Sequence, residues 1–414
     1  MRKTVVALAA VSLLSGIAHA ADTIKVGYID PLSGGGASIG EIGLKNLQFV
    51  VDQLNAAGGA NGKKFEVIPL DNKTNPQESL VQAQKAVDQG AHFITQGNGS
   101  SVAAALTDFA VKNNDRNPDK QVLYLNYAAV DPVLTNDKCN YWHFRWDANS
   151  DIKMQALTNF LKDRQNVKKI YLINQDYSFG QSVRTQARAM LKQKRPDVEI
   201  VGDELHPLLK VNDFAPYVAK IKASGADTVI TGNWGQDIAL LLKAAAEAGL
   251  NVDWYTYYAG GVGGPTAIKQ SNIPDRVFQI VEGVPNSEPP ESQKLDEEFR
   301  AKYTAATGVA MPYPRMVNQM RMVAKAVNEA KSEDAKAVAA KLEGMTFTTF
   351  SGGEAYMRKD DHQFFQDMYI ASFGPNPPGA KFDEEKTGWG WKVQGVVKAK
   401  DTELPTTCKM DRPS

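Results

Sequence analysis

The residues best placed to do chemistry gather just after short apolar runs. They are Gly97-Asn98-Gly99-Ser100-Ser101, Tyr127-Ala128-Ala129, Asp176-Tyr177-Ser178-Phe179-Gly180, Gly232-Asn233-Trp234 and Tyr257-Tyr258-Ala259-Gly260-Gly261. The first reads as a turn entering a helix, where free backbone N–H groups and two hydroxyls suit an anion such as a carboxylate. A serine there also serves as a plain helix cap. Each of Tyr177, Phe179, Trp234, Tyr257 and Tyr258 fits core packing taken singly. Together, on loops of one side, they suit the wall of an apolar cleft.

Signs of catalysis are weak. Gly36-Ala37-Ser38-Ile39-Gly40 matches G-x-S-x-G, but an elbow serine stands directly after a strand and Ser38 follows Asp30 by eight residues of glycine-rich loop. His92, His143, His206 and His362 show no zinc-ligand spacing. No phosphate-binding loop is present, and Gly97-Asn98-Gly99 lacks the third glycine of a dinucleotide fingerprint. The expectation is a protein without metal, cofactor or catalytic set, and so not an enzyme.

These loops must be held by an alternating scaffold. Ile24 to Ile29 reads as strand and Ile39 to Leu54 as helix, with Ile39, Ile42, Leu47, Val50, Val51 and Leu54 on one side. Phe65–Leu70, His92–Thr95 and Val122–Asn126 are further strands, separated by helices at Pro76–Val87 and Val102–Lys112. After Arg145 the pattern restarts, with strands at Lys169–Asn174, Val198–Asp203, Thr228–Thr231 and near Trp254–Tyr257 between helices. Helices near Ser292–Ala305, Tyr313–Ala330 and Glu333–Leu342 follow. This rhythm predicts α/β architecture with parallel sheets flanked by helices, whose ligands sit beyond the carboxyl ends of the strands.

The N-terminus carries Arg2 and Lys3, an apolar run from Val5 to Ile17 and Ala18-His19-Ala20, the form of a cleaved export signal cut after Ala20. The run is shorter than the roughly 20 residues that span a bilayer. The chain has 47 basic and 47 acidic residues, so loss of Arg2 and Lys3 leaves a net charge of −2. The charges are interspersed, which argues against a nucleic-acid partner. A 414-residue chain exceeds what one core usually supports, so two lobes are expected. Cys139 and Cys408, in an oxidising compartment, are expected to form one disulfide.

Taken end to end, the chain resembles the leucine/isoleucine/valine-binding family of type I periplasmic binding proteins. The marks are Ile24-Lys25-Val26-Gly27 with Pro31-Leu32-Ser33-Gly34, Asn55-Ala56-Ala57-Gly58-Gly59, Ser100-Ser101 and Asp131-Pro132-Val133-Leu134-Thr135. Asp176 to Gly180, Gly225-Ala226-Asp227 and Met357 to Gln363 continue the series. The resemblance implies two Rossmann-like lobes joined by three crossovers near Arg145–Asn149, Val281–Pro285 and Ser351–Tyr356. It assigns residues 21–147 with 285–353 to lobe 1 and 148–284 with 354–388 to lobe 2, leaving 389–414 as a tail clasped to lobe 1. It implies a periplasmic receptor, monomeric, that closes on a small molecule and docks the permease and ATPase subunits of an ABC importer.

By the same resemblance, Ser100 and Ser101 with backbone groups at Ala129 and Val130 hold the ligand's α-carboxylate. Ile39, Phe179 and Trp234 stand at wall positions, with Tyr257 beside them. The family's acidic partner for an α-ammonium falls at Gly260, which has no side chain to offer. The ligand expected is therefore a carboxylate without an α-amino group, such as an aromatic acid. Asp176 or Asp237 could stand in for the missing acid and restore ordinary branched-chain amino acid uptake. A ligand-sensing receptor module of the same fold is the other alternative.

Overall fold

A computed structural model describes residues 22–307 and 312–413. The export signal and its cut after Ala20 lie outside the described residues. The first half builds β1 (Ile24–Asp30), α1 (Ala37–Ala56), β2 (Phe65–Asp71), α2 (Pro76–Asp88), β3 (Phe93–Gln96), α3 (Ser100–Arg116), β4 (Leu123–Asn126) and β5 (His143–Arg145). Its five strands run in the order β2-β1-β3-β4-β5, all parallel. Parallel strands are covered on both faces, which is why β3 and β4 are buried at every position.

Local chemistry fixes the helix starts. At α2, Pro76 occupies the first turn and the Asn75 side chain accepts the Glu78 N–H at 2.9 Å. Asn75→Ala is expected to lower the unfolding free energy by about 1 kcal/mol, read from the urea midpoint. The G-x-S-x-G segment is helix, not elbow: Ala37 opens α1, and a Cβ at Gly40 would lie 1.7 Å from the Pro31 carbonyl oxygen. Gly40 is thus needed for close approach of α1 to the loop after β1.

The second half builds α4 (Ser150–Leu161), β6 (Lys169–Gln175), α5 (Ser178–Lys194), β7 (Glu199–His206), α6 (Ala215–Ala223), β8 (Thr228–Thr231), α7 (Gln236–Glu247), β9 (Asp253–Thr256), α8 (Gly264–Ser271) and β10 (Val277–Val281). Helices α9 (Pro290–Thr307), α10 (Pro314–Ala330) and α11 (Ala335–Leu342) follow. Short strands β11 (Thr346–Thr348), β12 (Glu354–Met357) and β13 (Phe364–Phe365) form a separate three-stranded sheet. Then β14 (Met368–Pro375) and β15 (Trp389–Val397) complete a second large sheet, ordered β15-β14-β10-β9-β8-β6-β7. Within it β14 and β15 are antiparallel additions. Alternate residues of β6 enter different cores, Ile170 and Leu172 one and Tyr171 and Ile173 the other, so both faces of this sheet are covered.

Core membership shows where the chain changes sides. Trp146 belongs with the first sheet and Ala148 with the second. After Val284, in the second core, the chain returns: Met316, Met320, Val323 and Val327 of α10 pack with β1, β3 and β4. In the last passage the side chains alternate between the two: Ala355, Met357 and Phe364 belong to the first core, while Tyr356 and Phe365 pack with the second. The segment expected as a tail from Trp389 begins instead as β15, a full strand of the second sheet. Beyond it, Thr406 Oγ1 donates to the Thr135 carbonyl at 3.1 Å, and Cys408 is disulfide-bonded to Cys139 with Cα atoms 5.7 Å apart.

Candidate functional site

In each large sheet the strand order reverses beside one central strand, and the crevice opens there. In the first sheet this is between β1 and β3. The Asp30 carboxylate, fully buried, accepts the Asn98 N–H at 2.9 Å, the Gly97 N–H at 3.2 Å and the Tyr127 hydroxyl at 2.6 Å. Burial pushes Asp30 up to about 7 against the pull of these donors. Asp30 thereby shapes the turn into α3, where Gly99 takes φ +95 and Tyr127 leaves no room for a side chain at Gly97.

Ser100 opens α3, buried, and its Oγ accepts the Asp131 N–H at 3.2 Å. Its hydroxyl hydrogen is left to donate toward an anion at the helix N-terminus. Ala129 plays a different part from the one expected. Its N–H is held by Asn126 Oδ1 at 2.8 Å and its carbonyl by Asn126 Nδ2 at 2.9 Å, so this backbone unit is spent on the loop itself.

In the second sheet the reversal lies between β6 and β8. Gln175 Nε2 donates to the Trp234 carbonyl at 3.1 Å and to Asp237 at 2.8 Å, fixing the loop that carries Trp234. The Trp234 indole donates to the Tyr177 hydroxyl at 2.7 Å. The Phe179 ring lies 5.8 Å from Tyr177, 6.0 Å from Tyr257 and 6.2 Å from Tyr258, centroid to centroid. Such spacing is that of mutually supporting aromatic pairs. The Tyr257 hydroxyl is anchored on the Ser150 carbonyl at 3.0 Å, and Tyr258 on Asp147 at 3.2 Å.

Both edges meet in one cavity of about 140 Å³. Ile39, Ser100, Ala129, Val130, Phe179, Trp234, Tyr257 and Gly260 all line it. Ser101 does not: it is exposed on the outer side of the first turn of α3. Neither candidate substitute for the acid at Gly260 lines the cavity. Asp176 is exposed and bonded by Gln181, while Asp237 is buried in its own network with Gln175 and Leu209. The Gly260 N–H donates to Gln279 Oε1, and a Cβ at Gly260 would come within 3.3 Å of the Trp391 indole nitrogen.

Sequence reasoning missed the charged part of the lining. Lys153 pairs with Asp147 at 2.8 Å, both 1% exposed. Arg315 pairs with Glu282 at 2.7 Å, and Arg300 with Asp296 at 2.7 Å and Glu384 at 3.0 Å. Burial raises Glu282, but Arg315 and then Lys153 outweigh it and hold that carboxyl below its ordinary value. One signal was legible: Lys153 falls between Ile152 and Met154 on a helix face that is otherwise buried.

Residues 23–376 match the family profile described as periplasmic binding protein. The chain is 32% identical over 420 residues to Leu/Ile/Val-binding protein homolog 4 of Brucella abortus, covering 99% of this chain and 97% of that protein. It superposes with a TM-score of 0.81 on the closed conformation of a leucine-, isoleucine-, valine-, threonine- and alanine-binding protein from Brucella ovis, at 30% identity over 95% of this chain and 100% of that one. A solute-binding protein of an R. palustris ABC transporter, solved with benzoate, shares the fold with a TM-score of 0.76 at 18% identity, covering 94% of this chain and 100% of that chain. The chain therefore belongs to the periplasmic binding protein family, in its Leu/Ile/Val-binding branch, and is a transport-type substrate-binding protein and not an enzyme.

Proposed function

We propose that this receptor captures a small carboxylate that lacks an α-amino group, between two lobes that close on it, and delivers it to the permease and ATPase subunits of an importer. The observation that carries the reading is the asymmetry of the cavity. Ser100 and the N-terminus of α3 offer an anion site on one side and Phe179, Trp234, Tyr257 and Tyr258 an apolar wall on the other, while position 260 bears no acid. An α-ammonium placed there would meet an amide and an indole in place of a carboxylate, and its desolvation would go uncompensated. The lobes follow the two sets of cores, and the working unit is a monomer. The benzoate complex of the R. palustris neighbour is consistent with an aromatic acid in such a cavity.

The test is thermal unfolding of ligand-stripped protein with benzoate, hydroxybenzoates, phenylacetate, short aliphatic acids, leucine and valine. A ligand at a hundred times its Kd stabilises by about 2.7 kcal/mol, which raises the midpoint measurably. Ser100→Ala is expected to weaken the bound acid by about ten- to a hundredfold, since a hydrogen bond to a charged group contributes about 1.5–3 kcal/mol. Stabilisation by leucine or valine alone would sink this reading in favour of branched-chain amino acid uptake, in line with the amino acids in the Brucella relatives' names.

A further inference from the structure

One end of the cavity is explained neither by the anion site nor by the aromatic wall. Glu288, in the passage from β10 to α9, lines the cavity and is 6% exposed. Its Oε1 takes only a long contact from Ser351 Oγ, 3.4 Å, and its buried Oε2 has no hydrogen-bond partner among the described residues. Asp296 on α9 also lines the cavity, 1% exposed, with Oδ1 on Arg300 Nε and a buried Oδ2 likewise unpartnered.

The cations nearby are committed. Arg300 serves both Asp296 and Glu384, Arg315 serves Glu282 and Lys153 serves Asp147. Among the described residues Glu288 has no cation within ion-pair distance. The groups that act on it are Asp296 and Arg300 from α9 and Glu282 from the end of β10. Tyr369 on β14 lies within its field as well. All but Arg300 are acids or neutral. An ionised carboxylate is costly in such surroundings. Burial first and Asp296 second push Glu288 up to about 8, and burial pushes Asp296 up to about 6. Near neutral pH Glu288 therefore keeps its proton at a place where two buried oxygens lack partners among the described residues.

We propose that Glu288 and Asp296 form a second subsite, which holds an ammonium group carried by the ligand away from the carboxylate that sits at Ser100. The inference rests on the carboxylate reading above and narrows it to ω-amino carboxylates, aliphatic or aromatic. Three N–H donors on an ammonium meet the two orphaned oxygens and offset the excess of acids. The absence of an acid at Gly260 then marks relocation of the ligand's positive charge to the Glu288 end of the cavity.

A cation beside Glu288 favours its charged form, so the group loses its proton on binding. Because its pKa without ligand is about 8, binding between about pH 6 and 8 releases up to one proton. Affinity then climbs by up to about tenfold per pH unit and levels off above that range.

Titration calorimetry decides it. 4-Aminobutyrate, 5-aminopentanoate and 4-(aminomethyl)benzoate are each measured against butyrate, pentanoate and 4-methylbenzoate, in two buffers of different ionisation enthalpy. The expected result is about tenfold or greater preference for the amino member with proton release. Glu288→Gln is expected to lose both the preference and the proton release and still bind the amine-free acids. Equal or tighter, pH-independent binding of the amine-free member to the unaltered protein overturns the subsite and leaves the carboxylate reading standing. Preference for leucine or valine over both series overturns the two together.

Discussion

Arg145→Met is expected to lower the unfolding free energy by about 4 kcal/mol, because it orphans polar groups that are buried on both sides of a crossover. Arg145 is fully buried, yet among the described residues it has no hydrogen-bonded carboxylate partner. Its Nε donates to Gln363 Oε1 at 2.7 Å, Nη1 to the Asp131 carbonyl at 2.6 Å and Nη2 to Thr135 Oγ1. Burial draws the guanidinium down to about 10, which leaves it charged at neutral pH. Without it, each of these three oxygens forfeits roughly 1–3 kcal/mol, partly offset by no longer burying the cation.

Arg145→Lys should recover little, since one ammonium cannot reproduce the fork that reaches Gln363 and the 131–135 loop at once. Ligand affinity should fall as well, because the same loop delivers the Asp131 N–H to Ser100. Equilibrium urea unfolding reads the first effect. An unchanged midpoint for the methionine variant would show that Arg145 does not organise the loop.

Replacing Cys139 and Cys408 together by serine is expected to cost up to about 5 kcal/mol of global stability, given a sequence separation of 269 residues. The loss resides mainly in the unfolded chain, which gains freedom once the loop is open. In the folded state the tail keeps other anchors: Thr407 N–H on Asn136 at 3.0 Å, Arg412 on Glu343 at 2.8 Å and Arg358 on the Leu404 carbonyl at 2.9 Å. Neither cysteine lines the cavity, so Kd should change by less than about twofold, below ~0.5 kcal/mol. A fall in affinity matching the fall in stability would mean that the tail acts on the site.

Elements whose apolar runs are long and regular were legible in the sequence, and β1, α1, β6 and β8 fall close to where the pattern puts them. β5 escaped because it is three residues, His143-Phe144-Arg145, two of them polar groups that are buried by specific partners and not by hydrophobicity. β15 escaped because Lys392 and Gln394 interrupt its apolar positions on the edge of the sheet.

The site divides the same way. Aromatic side chains could be placed because parallel sheets put their ligand loops at one end. Ser100 and Ser101 could not be told apart without the helix, where successive residues point about 100° away from each other, so only one faces inward. Asp296 and Arg300 stand four apart on α9, a spacing that could have been read, but the other pairs of the charged end join distant segments: Arg315 meets Glu282, and Arg300 meets Glu384. No spacing rule links such positions before the fold is known.

The bond between Cys139 and Cys408 also changes what the molecule is as a connected object. Without it, the polypeptide passes between its two large sheets as a string, and a break at any point yields two fragments. With it, everything from 139 to 408 becomes a ring, and that ring contains the whole second sheet and the passages that link it to the first. A single cut in any exposed loop of the ring leaves one covalent molecule with both halves of the cavity still tethered. A protease working within the ring must therefore cut twice, or follow a reductant, before a piece can leave, whereas a single cut ahead of Cys139 still divides the chain.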